Sequence, residues 1–120
     1  MISVSYISVD ELKAKLDKHA PLHLFETLSA DYFRHSHIPG AINMPPEKVA
    51  QVAAQHVTDK NAEIVVYCLD TECHAAEKAA RKLMALGYTN VFDFAGGKKA
   101  WTEAGLSLER HARHDAEADA

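Results

Sequence analysis

The chain reads as an α/β domain built on a mostly parallel sheet with helices on both faces. Three observations carry that reading: an unbroken β-branched and aromatic run at Ile64, Val65, Val66 and Tyr67, an alanine-rich helical stretch soon after it, and strand-like and helix-like segments alternating along the chain. With 120 residues, 48% of them apolar, there is material for one core and little room for a second. A formal charge of −4 offers no overall attraction to nucleic acid or to an anionic membrane. No apolar run approaches the ~20 residues of a bilayer span, and residues 1–6 lack the basic flank and apolar stretch of a secretory signal. Two cysteines are too few for a disulfide scaffold, so a reducing cytoplasm is the expected compartment.

Taken in order, Ser8 and Glu11 have the spacing of a capping box, and Leu12 and Leu16 give the helix behind them an apolar side that Pro21 is expected to end. Leu22, His23, Leu24 and Phe25 read as a strand. His37 through Met44 reads as a bend entering a short strand. Pro45, Pro46 and Glu47 then open a helix with Val49, Val52 and Ala53 on its apolar side. The run 64–67 is the central strand. Residues 74–86 form the alanine-rich helix, with Ala76, Ala79, Ala80, Leu83 and Leu86 on one side, Glu77 and Arg81 at the supporting four-residue spacing, and Gly87 as its stop. Residues 91–94 are a further strand, followed by Gly96, Gly97 and a short helix carrying Trp101. The folded domain is expected to span 1–108. Residues 109–120 hold no large apolar side chain and read as a flexible C-terminal tail.

Ligands of open α/β sheets bind beyond the carboxyl ends of the strands, and Cys68 directly follows the central strand. The loop Leu69, Asp70, Thr71, Glu72, Cys73 and His74 is expected to turn backbone N–H groups and the positive end of the next helix toward the Cys68 sulfur. A thiol near pKa 8.5 is roughly 3% thiolate at pH 7, and one near ~6.5 is roughly 75%. Against this stands the reading of Cys68 as a small apolar core residue.

Three motifs in order then resemble the rhodanese (sulfurtransferase) family. They are Ser36-His37-Ile38-Pro39-Gly40-Ala41-Ile42-Asn43, Tyr67-Cys68 with its loop and alanine-rich helix, and Phe94-Ala95-Gly96-Gly97-Lys98-Lys99-Ala100-Trp101. Together they cover residues 6–108. The resemblance implies a three-layer α/β/α domain with a central, mostly parallel sheet of about five strands. It implies a sulfurtransferase of the thiosulfate sulfurtransferase class, in which Cys68 takes sulfane sulfur from a donor as a persulfide and passes it to a thiol or cyanide. No cofactor is called for. The implied partners are a small sulfur-containing substrate or a persulfide-bearing protein.

The loop departs from the family pattern. Cys73 stands where many members carry a basic residue, and Glu26, Thr27 and Leu28 stand where many carry Asp-Val-Arg. With Asp70 and Glu72 in the loop as well, a carboxylate ~6 Å from a dianion opposes it by roughly 1.4 kcal/mol in water. The expectation is that a thiol persulfide is a better donor than thiosulfate. Cys73 has two readings, a resolving thiol that closes a disulfide with Cys68 or a small residue packing at a helix start. The first opens an alternative function, a thiol-redox protein using Cys68 and Cys73 for disulfide or arsenate-type reduction. A non-catalytic protein-binding module is a third reading. No metal is expected: the cysteine pair has no second ligand pair at recognisable spacing, and His35, His37, His74, His111 and His114 do not supply one. His74 stands where a cysteine phosphatase needs arginine. His37 and Trp101 are expected to be structural, Gly96 and Gly97 to pass close to the loop or form a turn, and Lys98 and Lys99 to meet a donor's charge or lie solvated.

Overall fold

The computed structural model describes residues 4–110. Five strands, β1 (Ser5–Tyr6), β2 (Leu22–Glu26), β3 (Ile42–Asn43), β4 (Glu63–Tyr67) and β5 (Val91–Phe94), form one sheet in the order β1-β5-β4-β2-β3, with every neighbouring pair parallel. The β-branched run thus becomes the middle strand, as a sequence apolar on both faces requires. Helices α1 (Val9–Asp17) and α5 (Gly97–Glu103) cover one face, where Leu12, Leu24, Val65, Tyr67, Phe94 and Trp101 pack together. Helices α3 (Val49–His56) and α4 (Ala75–Ala85) cover the other, where Phe25, Val52, Ile64, Val66, Ala79, Ala80 and Leu83 meet. The expected three-layer α/β/α architecture is the one observed.

Local signals account for most boundaries. Ser8 Oγ accepts from the Glu11 N–H while Glu11 Oε1 accepts from the Ser8 N–H, completing the capping box. α1 stops short of Pro21, however. His19 adopts φ 55°, and the N–H groups of His19 and Ala20 return to the carbonyls of Leu16 and Lys15. That is a Schellman stop on a non-glycine residue. Gly87, at φ 103°, ends α4 in the same way, with Gly87 and Tyr88 bonding back to Met84 and Leu83. Leu86 departs from its expected place on the buried side of α4; it lies beyond the helix and is 40% exposed. A 3-10 turn at Pro46–Lys48 precedes α3.

Two elements carry no signal in the chain read alone. β1 is a two-residue edge strand, and α2 (Ala30–His35) is a six-residue helix with no buried residue. Glu109, the first residue of the expected tail, is joined to His37 by backbone hydrogen bonds of 2.8 and 2.7 Å. Residues 111–120 lie outside the described residues.

One buried charge marks the α4 face. Asp93 of β5 is 3% exposed and its Oδ1 has no hydrogen-bond partner. Burial, reinforced by the Glu77 carboxylate, pushes its pKa up to about 6. An aspartate bound more tightly to its proton in the folded chain than in the unfolded one weakens the fold once both forms are ionised. The loss is fully present above pH 6 and fades as pH falls toward 4. Asp93→Asn is therefore expected to gain stability over the parent chain by roughly 2.5 kcal/mol more at pH 8 than at pH 4. Urea unfolding at the two pH values measures this, and a gap independent of pH contradicts it.

Candidate active site

The site begins where β4 ends. Tyr67 is its last residue, and Cys68 follows at the carboxyl edge of the central strand, 2% exposed. Cys73 lies half-buried at the far end of the loop, just before His74, the N-cap of α4. The two cysteines form a disulfide, with Cα atoms 6.3 Å apart, inside the ~7 Å that a bridge tolerates. Both cysteines of the chain are in this bond. Of the two sequence readings of Cys73, the arrangement matches the thiol that pairs with Cys68.

The other loop residues divide by exposure. Leu69, Thr71, Glu72 and His74 are exposed, and Asp70 is half-buried. Asp70 Oδ1 accepts from the Glu72 N–H at 3.0 Å, and the Asp70 carbonyl accepts from the Cys73 N–H at 3.2 Å. The expected cradle of N–H groups is narrower for this reason. Two of its donors are spent on the loop's own turn, where an Asx-type bond competes for them.

The floor of the loop is clamped from α5. The Lys98 N–H donates to the Cys68 carbonyl at 3.1 Å, and the Lys99 N–H donates to the Leu69 carbonyl at 2.9 Å. Gly97 makes this approach possible. Its φ is 61°, and a Cβ there would stand 2.5 Å from the Cys68 carbonyl oxygen, a distance no side chain tolerates without backbone movement. Of the two sequence readings of Gly97, close passage to the loop is the one observed.

Beneath the clamp lies a buried polar cluster. Glu26, fully buried at the end of β2, accepts from the Tyr67 hydroxyl at 2.8 Å, and that hydroxyl accepts from the Ile38 N–H at 3.0 Å. The Lys98 ammonium lies 3.1 Å from Glu26 Oε2 and 3.4 Å from the Tyr32 carbonyl. Lys98 is 5% exposed, so it faces the core and does not meet an incoming donor. Lys99 is exposed. Burial pushes the Glu26 carboxyl up, opposed by the Tyr67 hydroxyl and the Lys98 ammonium. Burial, with Glu26 as neighbour, also raises the Tyr67 phenol, so this hydroxyl stays a donor. Thr27 completes the platform: its N–H and its hydroxyl both donate to the Tyr67 carbonyl.

His37 and Trp101 are structural in their contacts. The His37 ring stacks on Phe33 with centroids 3.9 Å apart, and its Nδ1 lies 2.8 Å from the Phe33 carbonyl. Trp101, 4% exposed, donates to the Ser107 carbonyl. Among the described residues no three His, Cys, Asp or Glu side chains are gathered as a metal site; His111 and His114 lie outside them.

Comparison with known proteins gives the same fold. A family profile described as the rhodanese-like domain matches residues 8–104. The chain belongs to the rhodanese-like domain family. Thiosulfate sulfurtransferase GlpE of Shewanella oneidensis is 28% identical over 104 residues, covering 87% of this chain and 98% of that one. Thiosulfate sulfurtransferase PspE of Escherichia coli is 34% identical over 77 residues, 64% of this chain and 71% of the relative. Among solved structures, the BH2092 protein of Bacillus halodurans superposes with a TM-score of 0.82 at 25% identity, covering 89% of this chain and 77% of that one. Family and relatives together support a general sulfur-transfer role of the rhodanese type.

The buried ion pair yields a test of what holds the clamp. Removing one partner strands an uncompensated charge, at a cost of about 3–5 kcal/mol, whereas removing both charges together is far milder. Lys98→Met is expected to destabilise the chain by about 3 kcal/mol or more, and Glu26→Gln/Lys98→Met to recover most of it, since glutamine still accepts from Tyr67. Thermal unfolding of the three chains measures this. A double variant as unstable as Lys98→Met contradicts the ion-pair account.

Proposed function

We propose that this rhodanese-like domain is a sulfur-handling thiol–disulfide enzyme, with Cys68 as the nucleophile and Cys73 as the resolving thiol. The observation that carries the reading is the Cys68–Cys73 bond at the carboxyl end of the central strand. The Cys68 thiolate attacks the outer sulfur of a thiol persulfide. The donor's S–S bond breaks, the donor leaves as a thiolate, and Cys68 holds the sulfur as a persulfide. The Cys73 thiolate then attacks Sγ of Cys68, forming the disulfide and expelling hydrosulfide. Two thiol electrons thereby reduce the sulfane sulfur to sulfide, and two equivalents of an external thiol return the enzyme to the dithiol. The rhodanese step and the redox alternative become successive halves of one cycle.

A thiol persulfide fits the loop better than thiosulfate does. Asp70 and Glu72 oppose a dianion, and the ammonium of Lys98, whose backbone N–H reaches the Cys68 carbonyl, is locked onto Glu26. Direct transfer from the Cys68 persulfide to an acceptor thiol is the second reading, supported by the relatives named thiosulfate sulfurtransferases. It differs in the sulfur that is attacked: an external thiolate takes the outer sulfur and Cys68 leaves as the thiolate, whereas Cys73 attacks Sγ of Cys68 and hydrosulfide leaves. Small persulfides and persulfide-bearing proteins are both donors of the right chemistry.

Intact-mass spectrometry of the reduced chain, exposed to a small thiol persulfide or to thiosulfate, tests the assignment. The native chain is expected to lose two hydrogens without retaining sulfur, Cys73→Ser to gain one sulfur atom, and Cys68→Ser to do neither. The persulfide is expected to act at least tenfold faster than thiosulfate, in line with the charge argument. Stable retention of one sulfur by the native chain, unchanged in Cys73→Ser, would favour direct transfer and overturn the role of Cys73.

A further inference from the structure

A cavity of about 460 Å³ opens between the 3-10 turn that precedes α3 and the first two turns of α4, its lining beginning at His74, the residue after Cys73. Its apolar lining is Pro46, Val49, Ala75 and Ala79, and its polar lining is His74, Lys78 and Lys82. The volume lies within the range of small-molecule sites. We propose that this groove binds the thiol that resets the Cys68–Cys73 disulfide, and that the thiol is a small one carrying carboxylates. The inference rests on the proposed cycle and names the co-reactant that the cycle needs.

Position supplies the first argument. Cys73 directly precedes His74 and Ala75 in the lining, and Cys73 and Ala75 both pack on the core cluster that contains Val49 and Ala79. Access supplies the second. In the disulfide Cys68 is 2% exposed, whereas Cys73 is half-buried, so an entering thiolate meets Sγ of Cys73. Attack there breaks the S–S bond, leaves the thiol joined to Cys73 in a mixed disulfide and releases Cys68 as the thiolate. A second thiolate attacks the outer sulfur of the mixed disulfide, and the small disulfide departs. Cys68 is thus the sulfur freed first for the next donor.

Charge supplies the third argument. His74, Lys78 and Lys82 are spaced four apart and so share one side of α4. All three are exposed, and neither lysine is in an ion pair among the described residues. No carboxylate lines the groove. Asp70 and Glu72 repel an anion that approaches over the loop, and the two lysines attract one that approaches along the helix. At separations of about 8 Å, screened by salt, two ammonium groups acting on two carboxylates favour the anion about fivefold.

Stopped-flow reduction of the oxidised chain tests this, with mercaptosuccinate and 2-mercaptoethanol as the two thiols at equal thiolate concentration and an ionic strength of about 0.1 M. The readout is the ratio of their rates. It is expected to fall about fivefold in Lys78→Gln/Lys82→Gln. In Lys13→Gln/Lys18→Gln, which removes the same charge at α1 on the opposite sheet face, it is expected to stay at the native value. An unchanged ratio in the α4 variant, or an equal fall in both variants, overturns the groove and leaves the disulfide cycle standing. A chain in which neither thiol converts a disulfide into two thiols overturns the cycle, and the groove's role with it.

Discussion

The chemistry of this domain hangs on two hydrogen bonds from the start of α5 to the carbonyls of Cys68 and Leu69. They fix the point where the central strand stops and its loop begins. That fixing in turn determines where Cys68 stands relative to Cys73, five residues later. Gly97 lets the two backbones come together, and the buried Glu26–Lys98 pair holds α5 in place from below.

The polar cluster beneath the loop also explains a departure from the family pattern. The stretch Glu26-Thr27-Leu28 brings no arginine to the site, yet two of its side chains serve the platform. Glu26 anchors Lys98 and Tyr67, and Thr27 saturates the Tyr67 carbonyl. Charge that a dianion-binding site would present to its ligand is here spent inside the protein. The disulfide and the acidic loop are consistent with that choice, since a thiol persulfide needs a nucleophile and a resolving group more than it needs a cationic cradle.

Most of the architecture was legible in the chain because its signals are local. The capping box at Ser8, the β-branched run of β4, the alanine-rich face of α4 and Gly87 each act within a few residues. What escaped is non-local or short. β1 exists because β5 offers it an edge, α2 buries nothing, and His19 takes a left-handed conformation without the glycine that usually announces one. At the site, the spacing of Cys68 and Cys73 permitted a bond but could not decide between a resolving thiol and a packed one. The Glu26–Lys98 pair was hidden more deeply, because its partners lie on different elements, 72 residues apart in the chain. The only sign of it was a charged residue at the end of an apolar strand.

The central claim is that Cys73 ends the life of the Cys68 persulfide. A single turnover tests it most directly: the reduced chain is mixed with one equivalent of a small thiol persulfide, and sulfide release and thiol loss are followed together. The account predicts one sulfide per chain, with both cysteine thiols lost at the rate of sulfide release. Sulfur that remains on Cys68 while Cys73 stays a free thiol, with sulfide appearing only when a second thiol is added, would contradict it.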